Sequence, residues 1–205
     1  MRRHSLIAAC ARVLARDGAA GASVRLIARE AQISPGLIAH YFGGVDALIE
    51  ATYAQIDQTV NAALTAAVTA AGPDPRARLD AFVTASFAPP IADGALLATW
   101  IAFWSMVGAR ADIARQHDRQ YAAYRARLAD LLGACGLPAP RQRLAAIGLA
   151  ALVDGLWLEL SLSPGCFGAA EASQIARAQI DRLIDCNAAA AGYLDDNPLS
   201  PPEIA

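Results

Sequence analysis

The amino-acid sequence predicts an all-α fold, and three features of its composition support this. Hydrophobic residues make up 56% of the 205 residues, which is enough to build a core in a chain of this length. Alanine, which has the lowest cost in a helix, is abundant, and β-branched residues are sparse. No stretch alternates apolar and polar residues as a strand does. Glycine and proline divide the chain into about nine helical segments.

Two short helices are predicted in the first 31 residues. Apolar residues recur at helical spacing from Leu6 to Leu14, and Gly18 lies where it can end this helix. Ser23 can act as the N-cap of a second helix, VRLIAREA, by accepting a hydrogen bond from its first turn. The apolar residues of both helices are expected to face inward.

A third short helix is predicted from Ser34 to Phe42, joined to the second by about four residues. Pro35 would occupy its first helical position, where the missing N–H costs nothing. Two short helices joined by a tight turn describe a helix-turn-helix, whose second helix enters the major groove of DNA. A plain three-helix cap with no DNA-binding role is the alternative that this pattern leaves open.

Six longer helices are predicted after residue 44, with boundaries set by glycine and proline. They span about 45–71, 75–88, 95–107, 112–134, 141–162 and 169–191. The end of the chain is polar and rich in proline, and it is expected to fray. The sequence therefore predicts a helix-turn-helix domain at 1–48, a larger effector-binding and dimerisation domain at 49–192, and a flexible tail at 193–205.

The charge of the chain is unevenly distributed. Residues 1–42 carry six arginines and two acidic residues, a net charge of +4. Residues 43–205 carry 11 arginines and 17 acidic residues, a net charge of −6. This asymmetry indicates an anionic partner for the first segment, and the phosphates of double-stranded DNA fit that requirement.

Several classes of protein are disfavoured. No run reaches the roughly 20 unbroken apolar residues of a membrane span, and charges interrupt the apolar pattern at the N-terminus, so a cytoplasmic protein with no membrane partner is expected. The four scattered cysteines are predicted to be buried free thiols. No catalytic residue, metal site or cofactor is predicted, because no Ser-His-Asp arrangement or glycine-rich phosphate loop occurs, and the chain is not expected to be an enzyme. His117, beside Asp118, is interpreted as part of a solvated helix face.

Aromatic residues cluster in the larger domain. Trp100, Phe103, Trp104 and Val107 share one face of one helix, at i, i+3, i+4 and i+7. This stripe is either a core face or the wall of an apolar ligand pocket. Asp154 interrupts an apolar helix, where an unpaired carboxylate is costly to bury, so it is expected to bind across a subunit interface or to neutralise a cationic ligand.

Residues 23–48 resemble the DNA-binding domain of the TetR family of transcriptional regulators. The matching positions are Ser23, Ile27, Ala28, Ala31, Ser34, Gly36, His40, Tyr41, Phe42 and Leu48. The chain departs from the family at Ala39, where Tyr is frequent, and at Val45, where a phosphate-binding Lys is frequent. The resemblance implies base or phosphate contacts by Ser34, Pro35, Gly36, His40 and Tyr41, with Arg25 and an N-terminal arm holding Arg2, Arg3 and His4 as anchors. Phe42 is assigned to packing.

Residues 99–128 and 148–176 resemble the C-terminal domain of BetI-type regulators, which repress glycine betaine synthesis from choline. The resemblance implies a homodimer formed by the last two long helices, about 141–162 and 169–191. It also implies a small-molecule effector, either choline-like or another cationic or apolar ligand. A quaternary ammonium is best held over aromatic faces near a carboxylate. The predicted ligand residues are Trp100, Trp104, Tyr121 and Trp157, then Phe87 and Phe103, with Asp154 as the carboxylate.

The sequence therefore predicts a homodimeric repressor that is released from a near-palindromic DNA operator by a small-molecule effector. The alternative is a helical ligand-binding or enzymatic protein whose N-terminal bundle is a cap. The two differ in DNA affinity and its dependence on salt, which only the repressor should show.

Overall fold

The computed structural model describes residues 2–163 and 165–195, with side chains as far as residue 185, and it is all-α, as predicted. The described part contains nine α-helices and one 3-10 turn, and no strand. The helices are α1 (Arg2–Gly21), α2 (Val24–Glu30), α3 (Gly36–Phe42), α4 (Val45–Ala70), α5 (Pro75–Thr84), α6 (Gly94–Val107), α7 (Ala111–Ala134), α8 (Ala139–Leu162) and α9 (Ala169–Asp195), and the 3-10 turn is Ala85–Phe87.

Local hydrogen bonds explain where several helices begin. The Ser23 side chain accepts a hydrogen bond from Leu26 N at 3.4 Å, so the predicted N-cap of α2 is confirmed. Asp74 caps α5 in the same way, with Ala77 N 2.7 Å from its Oδ2. Asp93 caps α6 through two backbone N–H groups.

Among the boundaries that differ from those predicted are one each in α1, α3 and α9. Gly18 has non-helical angles (φ 66°, ψ −168°), but a further helical turn continues α1 to Gly21. α3 begins at Gly36 rather than Ser34, because Pro35 lies in a turn whose preceding carbonyl, Ser34 O, accepts from Leu37 N at 3.1 Å. α9 extends to Asp195, which is three residues into the predicted tail, and residues 196–205 lie outside the described part.

One continuous hydrophobic core runs through the described helices. α1 packs extensively on α6 and also contacts α2 and α4, so the first helix belongs to the core of the larger domain as well as to the helix-turn-helix. Thr99 Oγ1 in α6 also lies 3.4 Å from Ala11 O in α1. The boundary predicted at residue 48 falls in the first turns of α4, which therefore joins the two parts.

The free cysteines differ in exposure. Cys10 is buried in α1, Cys135 is half-buried and Cys166 is exposed. The prediction of a buried thiol is correct for Cys10 and wrong for Cys166, which lies between α8 and α9. The side chain of Cys186 lies outside the described residues. Among the described residues, no group of three or more His, Cys, Asp or Glu is placed to hold a metal ion.

α8 is long and apolar enough, by length and composition, to cross a membrane, and a third of its most apolar window is buried in the fold. This is weak evidence for a membrane span, since core helices of soluble proteins pass the same test.

Candidate DNA-binding surface and effector cavity

α3 presents most of its surface to solvent. Of its seven residues, only Ile38 is buried, and this side chain anchors the helix on the core. Five of the residues predicted to contact DNA lie on α3 or directly before it, namely Ser34, Pro35, Gly36, His40 and Tyr41. The first four are exposed and Tyr41 is half-buried, with its ring edge-on to His40 at 5.0 Å between centroids. The exposed residues of this helix are therefore free to contact a partner.

Arg2 and Arg3 are part of α1, so the expectation of a separate N-terminal arm is wrong for these residues. Arg3 Nη1 donates a hydrogen bond to Tyr41 O at 3.1 Å, and its guanidinium lies 4.4 Å from the Phe42 ring centroid. A cation at a helix C-terminus is favoured by the helix dipole. Arg3 therefore fixes the end of α3, and Phe42 packs half-buried against the core, in its predicted structural role.

Ion pairs neutralise part of the positive charge of the N-terminal domain. Glu30 in α2 accepts hydrogen bonds from Arg12 Nε at 2.7 Å and from Arg16 Nη1 at 2.9 Å, both in α1. Arg16 also pairs with Asp17, and these arginines keep the pKa of both carboxyl groups below their ordinary values. Arg25 is exposed and forms no ion pair among the described residues, which leaves its charge open to an anionic partner.

The turn between α2 and α3 contains the one non-glycine residue with positive φ in the described chain, Gln32, at φ 55°. Its N–H donates to Arg29 O at 3.1 Å, and the next N–H, of Ile33, donates to Ala28 O at 3.0 Å. These bonds close the end of α2 and turn the chain toward α3. The left-handed conformation is costly for any residue with a Cβ.

A cavity lies inside the larger domain, between α4, α6, α7, α8 and the 3-10 turn. Its volume is about 70 Å³. Its lining is Asp57, Val60, Asn61, Leu64, Ser86, Trp100, Gln120, Tyr121, Tyr124, Val153, Asp154 and Trp157. Four of the predicted ligand residues are therefore brought together here, namely Trp100, Tyr121, Asp154 and Trp157.

Three predicted ligand residues lie outside this lining. Phe103 is fully buried, with its ring 4.6 Å from that of Tyr53. Phe87 is buried at the end of the 3-10 turn. Trp104 lines a shallow outer groove instead, together with Val107, His117, Tyr121, Asp154, Gly155 and Leu158.

Sequence reasoning missed the polar part of the lining, which includes Asp57, Asn61, Ser86, Gln120 and Tyr124. The four residues from α4 are Asp57, Val60, Asn61 and Leu64, at i, i+3, i+4 and i+7. This spacing is that of one helix face and was the available signal.

Asp154 is the central acidic group of the cavity. It accepts a hydrogen bond from Tyr121 Oη at 3.0 Å. Burial raises the pKa of Asp154 to about 6, although this hydrogen bond and the nearby Arg125 act in the opposite direction. Burial and the neighbouring Asp154 also raise the pKa of Tyr121, which keeps its hydroxyl protonated as the donor. Ionised Asp154 gives the cavity a negative charge.

A second carboxylate adds to this charge. Asp57 in α4 accepts a hydrogen bond from Asn61 Nδ2 at 2.8 Å, one turn further along the helix. Burial raises the pKa of Asp57, and the bond from Asn61 lowers it in part. Two half-buried carboxylates on one cavity disfavour an anionic ligand and favour a cationic one.

The aromatic rings around the cavity are held in place by their neighbours. Trp157 Nε1 donates a hydrogen bond to Ser86 O at 2.7 Å. The Trp100 ring packs edge-on against Tyr53, with 5.1 Å between centroids. Tyr121 and Tyr124 lie edge-on to each other at 6.5 Å. Fixed aromatic faces beside a carboxylate are the environment that binds a quaternary ammonium ion.

His117 is not on a solvated helix face, so that interpretation is wrong. Its ring is half-buried against Tyr121, with 4.2 Å between centroids, and its Nδ1 lies 3.3 Å from Tyr53 Oη. Burial lowers the pKa of His117, which favours the neutral ring. The residue therefore supports the outer side of the Tyr121–Asp154 pair.

An apolar stripe remains exposed on α8 and α9. The exposed large hydrophobic residues are Leu144 (67%), Ile147 (38%), Leu158 (37%) and Leu162 (65%) on α8, and Ile175 (45%) on α9. On α8 the small exposed residues Gly148, Ala151 and Gly155 continue the same face at helical spacing. An exposed apolar face of this kind marks an interaction surface.

Family models match both parts of the chain. Residues 6–52 match the model of bacterial regulatory proteins of the tetR family, and residues 75–185 match that of the BetI-type transcriptional repressor C-terminal domain. The HTH-type transcriptional regulator BetI of Burkholderia thailandensis is 38% identical over 185 residues, which cover 90% of this chain and 94% of that protein. BetI of Stenotrophomonas maltophilia is 36% identical and covers 88% of this chain and 92% of that protein.

Solved structures share the fold. A transcriptional regulator from Pseudomonas aeruginosa PAO1 superposes with a TM-score of 0.81 at 41% identity, over 89% of this chain and 90% of that chain. A regulator from Saccharomonospora viridis, solved in complex with choline, has a TM-score of 0.75 at 18% identity, over 87% of this chain and 95% of that chain, and so shares the fold. The resemblance seen in the sequence is confirmed: the chain belongs to the TetR family and, within it, to the BetI-type transcriptional repressors.

Proposed function

We propose that this repressor acts as a homodimer and leaves its operator when a small quaternary ammonium ion, such as choline, occupies the cavity. The observation that carries the proposal is the half-buried Tyr121–Asp154 pair, whose carboxylate lines the same cavity as Trp100 and Trp157. A quaternary ammonium cannot donate hydrogen bonds, so aromatic faces and a nearby carboxylate are what it requires. Asp57, a second carboxylate in the cavity lining, also favours a cationic ligand.

The DNA-binding part of the proposal rests on α3. Its exposed N-terminal end, at Ser34, Pro35 and Gly36, can approach the DNA backbone or bases, and His40 and Tyr41 follow on the same short helix. A helix N-terminus favours phosphate. Exposed Arg25 supplies a phosphate contact.

Arg2 and Arg3 complete this surface from α1. Arg3 has a second role in the proposal, since its bond to Tyr41 O orients α3 while the side chain stays exposed. The family resemblance leads us to expect a phosphate-binding lysine where this chain has Val45, and these arginines supply the positive charge in its place.

Dimerisation is proposed through the apolar stripe on α8 and α9. A second copy of the chain would bury Leu144, Leu158 and Leu162 against the same residues or their neighbours, as a two-fold interface requires. Two α3 helices related by that axis would bind successive major grooves about 34–36 Å apart on a near-palindromic operator. Such a protein acts on DNA in the cytoplasm.

A gel-shift experiment on the DNA upstream of this gene, with and without choline, tests the proposal. The protein should shift the DNA at low salt, lose affinity steeply as salt rises, and release the DNA when choline is added. A helical ligand-binding protein with a non-DNA-binding N-terminal cap is the rival, and it predicts no salt-dependent shift at all. Binding of DNA that no quaternary ammonium ion reverses would contradict the effector part alone.

A further inference from the structure

A cleft at the end of α4 is lined by two arginines. It lies between the last turn of α4, the start of α5 and the last turns of α7, and its volume is about 290 Å³. Two of its residues, Val68 and Leu131, are buried and apolar, whereas Arg78 and Asp130 are exposed and Arg127 is half-buried. The cleft therefore combines an apolar floor with charged groups nearer the solvent. Its full lining is Val68, Pro75, Arg78, Arg127, Asp130, Leu131 and Ala134.

The cleft is separate from the surfaces that the proposed function uses. Val68 lies about 33 Å along α4 from Asp46 at its start, at about 1.5 Å per residue, so the cleft is remote from the DNA-binding helix. None of its lining residues belongs to the effector cavity or to the exposed apolar stripe of α8 and α9. A ligand in this cleft would therefore compete with neither the effector nor the second subunit for the same residues.

The guanidinium of Arg127 is held in place by uncharged groups. Its Nη1 donates a hydrogen bond to Thr65 Oγ1 at 2.9 Å, and its Cζ lies 5.1 Å from the centroid of the Phe82 ring. Phe82 is itself fixed, because it is buried and stacks on Tyr124 with 5.3 Å between centroids. A hydroxyl and an aromatic face orient a cation without supplying a full negative charge. Arg127 is therefore oriented in advance and keeps its charge for an anion.

The charges on the cleft do not cancel. Neither Arg78 nor Arg127 forms an ion pair in the part of the chain that the structure describes. Asp130 is the one acidic residue of the lining, so two arginines and one aspartate give a net charge of 2 − 1 = +1. A guanidinium presents paired N–H groups that match the two oxygens of a carboxylate. The rest of the lining is apolar, and a second carboxylate placed against it would be desolvated without a partner.

We propose that this cleft is a second small-molecule site, and that it binds a monocarboxylate with a compact apolar body. Arg78 and Arg127 bind the carboxylate, and the apolar body covers Val68 and Leu131. The inference goes beyond the proposed function and does not depend on it, because Asp154 gives the effector cavity the opposite charge preference. One subunit can therefore bind two ligands of opposite charge at two separate places.

Four compounds test the proposal by calorimetry on the full-length protein, without DNA and at constant ionic strength. Benzoate carries the charge and the apolar ring, benzamide has the ring without the charge, acetate has the charge without the ring, and terephthalate carries a second carboxylate. We expect benzoate to bind saturably and about tenfold more tightly than benzamide, as hydrogen bonds to charged groups allow. Acetate should bind more weakly because it covers no apolar floor, and terephthalate because its second carboxylate has no partner there.

Variants assign the binding to the cleft. Arg78→Gln and Arg127→Gln each remove one guanidinium and should each weaken benzoate about fivefold or more. Asp130→Asn removes the opposing charge and should tighten benzoate about twofold to fivefold. A gain in affinity cannot come from lost structure, so this variant decides the question even if Arg127→Gln disturbs the packing on Phe82. The matched control is Arg119→Gln, at an exposed arginine of α7 outside the cleft, which should leave the affinity unchanged.

Three results would overturn the inference. Benzoate that does not bind saturably by about 10 mM, the affinity expected of a ligand of this size, would reject the site. Equal affinity of the wild-type protein for benzoate and benzamide would show that the arginines do not bind the carboxylate. Benzoate binding that is unchanged in Arg78→Gln, Arg127→Gln and Asp130→Asn would lie elsewhere on the protein. None of these results involves choline or the operator, so the proposed function is tested separately.

Discussion

Arg110 Nη1 lies 2.9 Å from Asp46 Oδ1, and this ion pair joins the segment between α6 and α7 to the first turn of α4. The same guanidinium forms two bonds to Asp112, the second residue of α7. Asp46 follows α3 by four residues. Arg110 therefore links the segment before α7 to the first turn of α4, which follows α3 in the chain.

Replacing Arg110 with alanine should weaken the communication between effector and operator. We expect choline to bind nearly as before. The coupling free energy between choline and operator, obtained from the ratio of operator dissociation constants with and without saturating choline, should fall by about 0.5–1 kcal/mol, the scale of a partly exposed ion pair. Anisotropy titrations measure both constants. Arg119→Ala is the control, since Arg119 is exposed on α7 and forms no ion pair among the described residues. An unchanged ratio in Arg110→Ala would show that the pair carries no coupling.

Effector affinity should depend on pH through Asp154. Burial raises the pKa of this carboxyl from 3.8 to about 6. In the ligand-free protein, the buried charge therefore lowers the free energy of unfolding above about pH 6, and this loss is relieved as the carboxyl is protonated below about pH 6. A cationic ligand requires the ionised form. Its affinity should therefore be lost as pH falls through about 6, with about a tenfold decrease from pH 7 to pH 5.

Calorimetry with choline at these two pH values measures the effect. Asp154→Asn keeps the shape of the side chain and removes its charge, so it should bind choline weakly and with little dependence on pH. Equal choline affinity of the wild-type protein at pH 5 and pH 7 would mean that Asp154 does not hold the cation.

The turn of the helix-turn-helix should be stabilised by a single substitution. Gln32 holds φ at 55°, a conformation that glycine adopts without steric cost. We expect Gln32→Gly to raise the free energy of unfolding by about 0.5–1 kcal/mol, since relief of the left-handed strain exceeds the entropy that glycine adds to the unfolded chain. Gln32→Val should lower it, because a β-branched side chain is the least suited to this conformation. Urea unfolding at one protein concentration compares the three, and a less stable Gln32→Gly protein contradicts the explanation.

A charge in the apolar stripe should separate the subunits. Leu144 is 67% exposed in the single chain and would be covered in the proposed dimer. Leu144→Arg should weaken the free energy of dimerisation by at least about 3 kcal/mol, because it places two unpaired charges in an apolar interface. Analytical ultracentrifugation measures the change, and operator affinity should fall with it. Ala123→Arg, at an exposed position of α7, should remain dimeric, and a Leu144→Arg protein that is equally dimeric would place the interface elsewhere.

The helices themselves could be predicted closely from the sequence, because their ends depend on local chemistry. Ser23 caps α2 with its own hydroxyl, and Gly43, at φ 81°, ends α3. Pro35 was the difficult case. It can open a helix, but here it completes a turn, so α3 begins at Gly36, two residues after the predicted start at Ser34.

The cavity could be predicted only in part, because one helix borders several environments. Trp100, Phe103 and Trp104 share a face of α6, yet the structure places them in the cavity lining, the core and the outer groove, respectively. Helical spacing identifies which residues share a face, but it does not predict which of them line the cavity and which pack in the core. Asp57 and Gln120 were missed for a related reason, since a polar residue on a helix looks like a solvated one until the packing of neighbouring helices is known.

The most direct test of the central claim is an anisotropy titration of the wild-type protein on its upstream DNA, at low and physiological salt, followed by addition of choline. The proposed function predicts tight binding at low salt, a steep loss as salt rises, and release by choline but not by the same concentration of sodium chloride. DNA binding that choline leaves unchanged at saturation of the protein, or no DNA binding at any salt concentration, would contradict it.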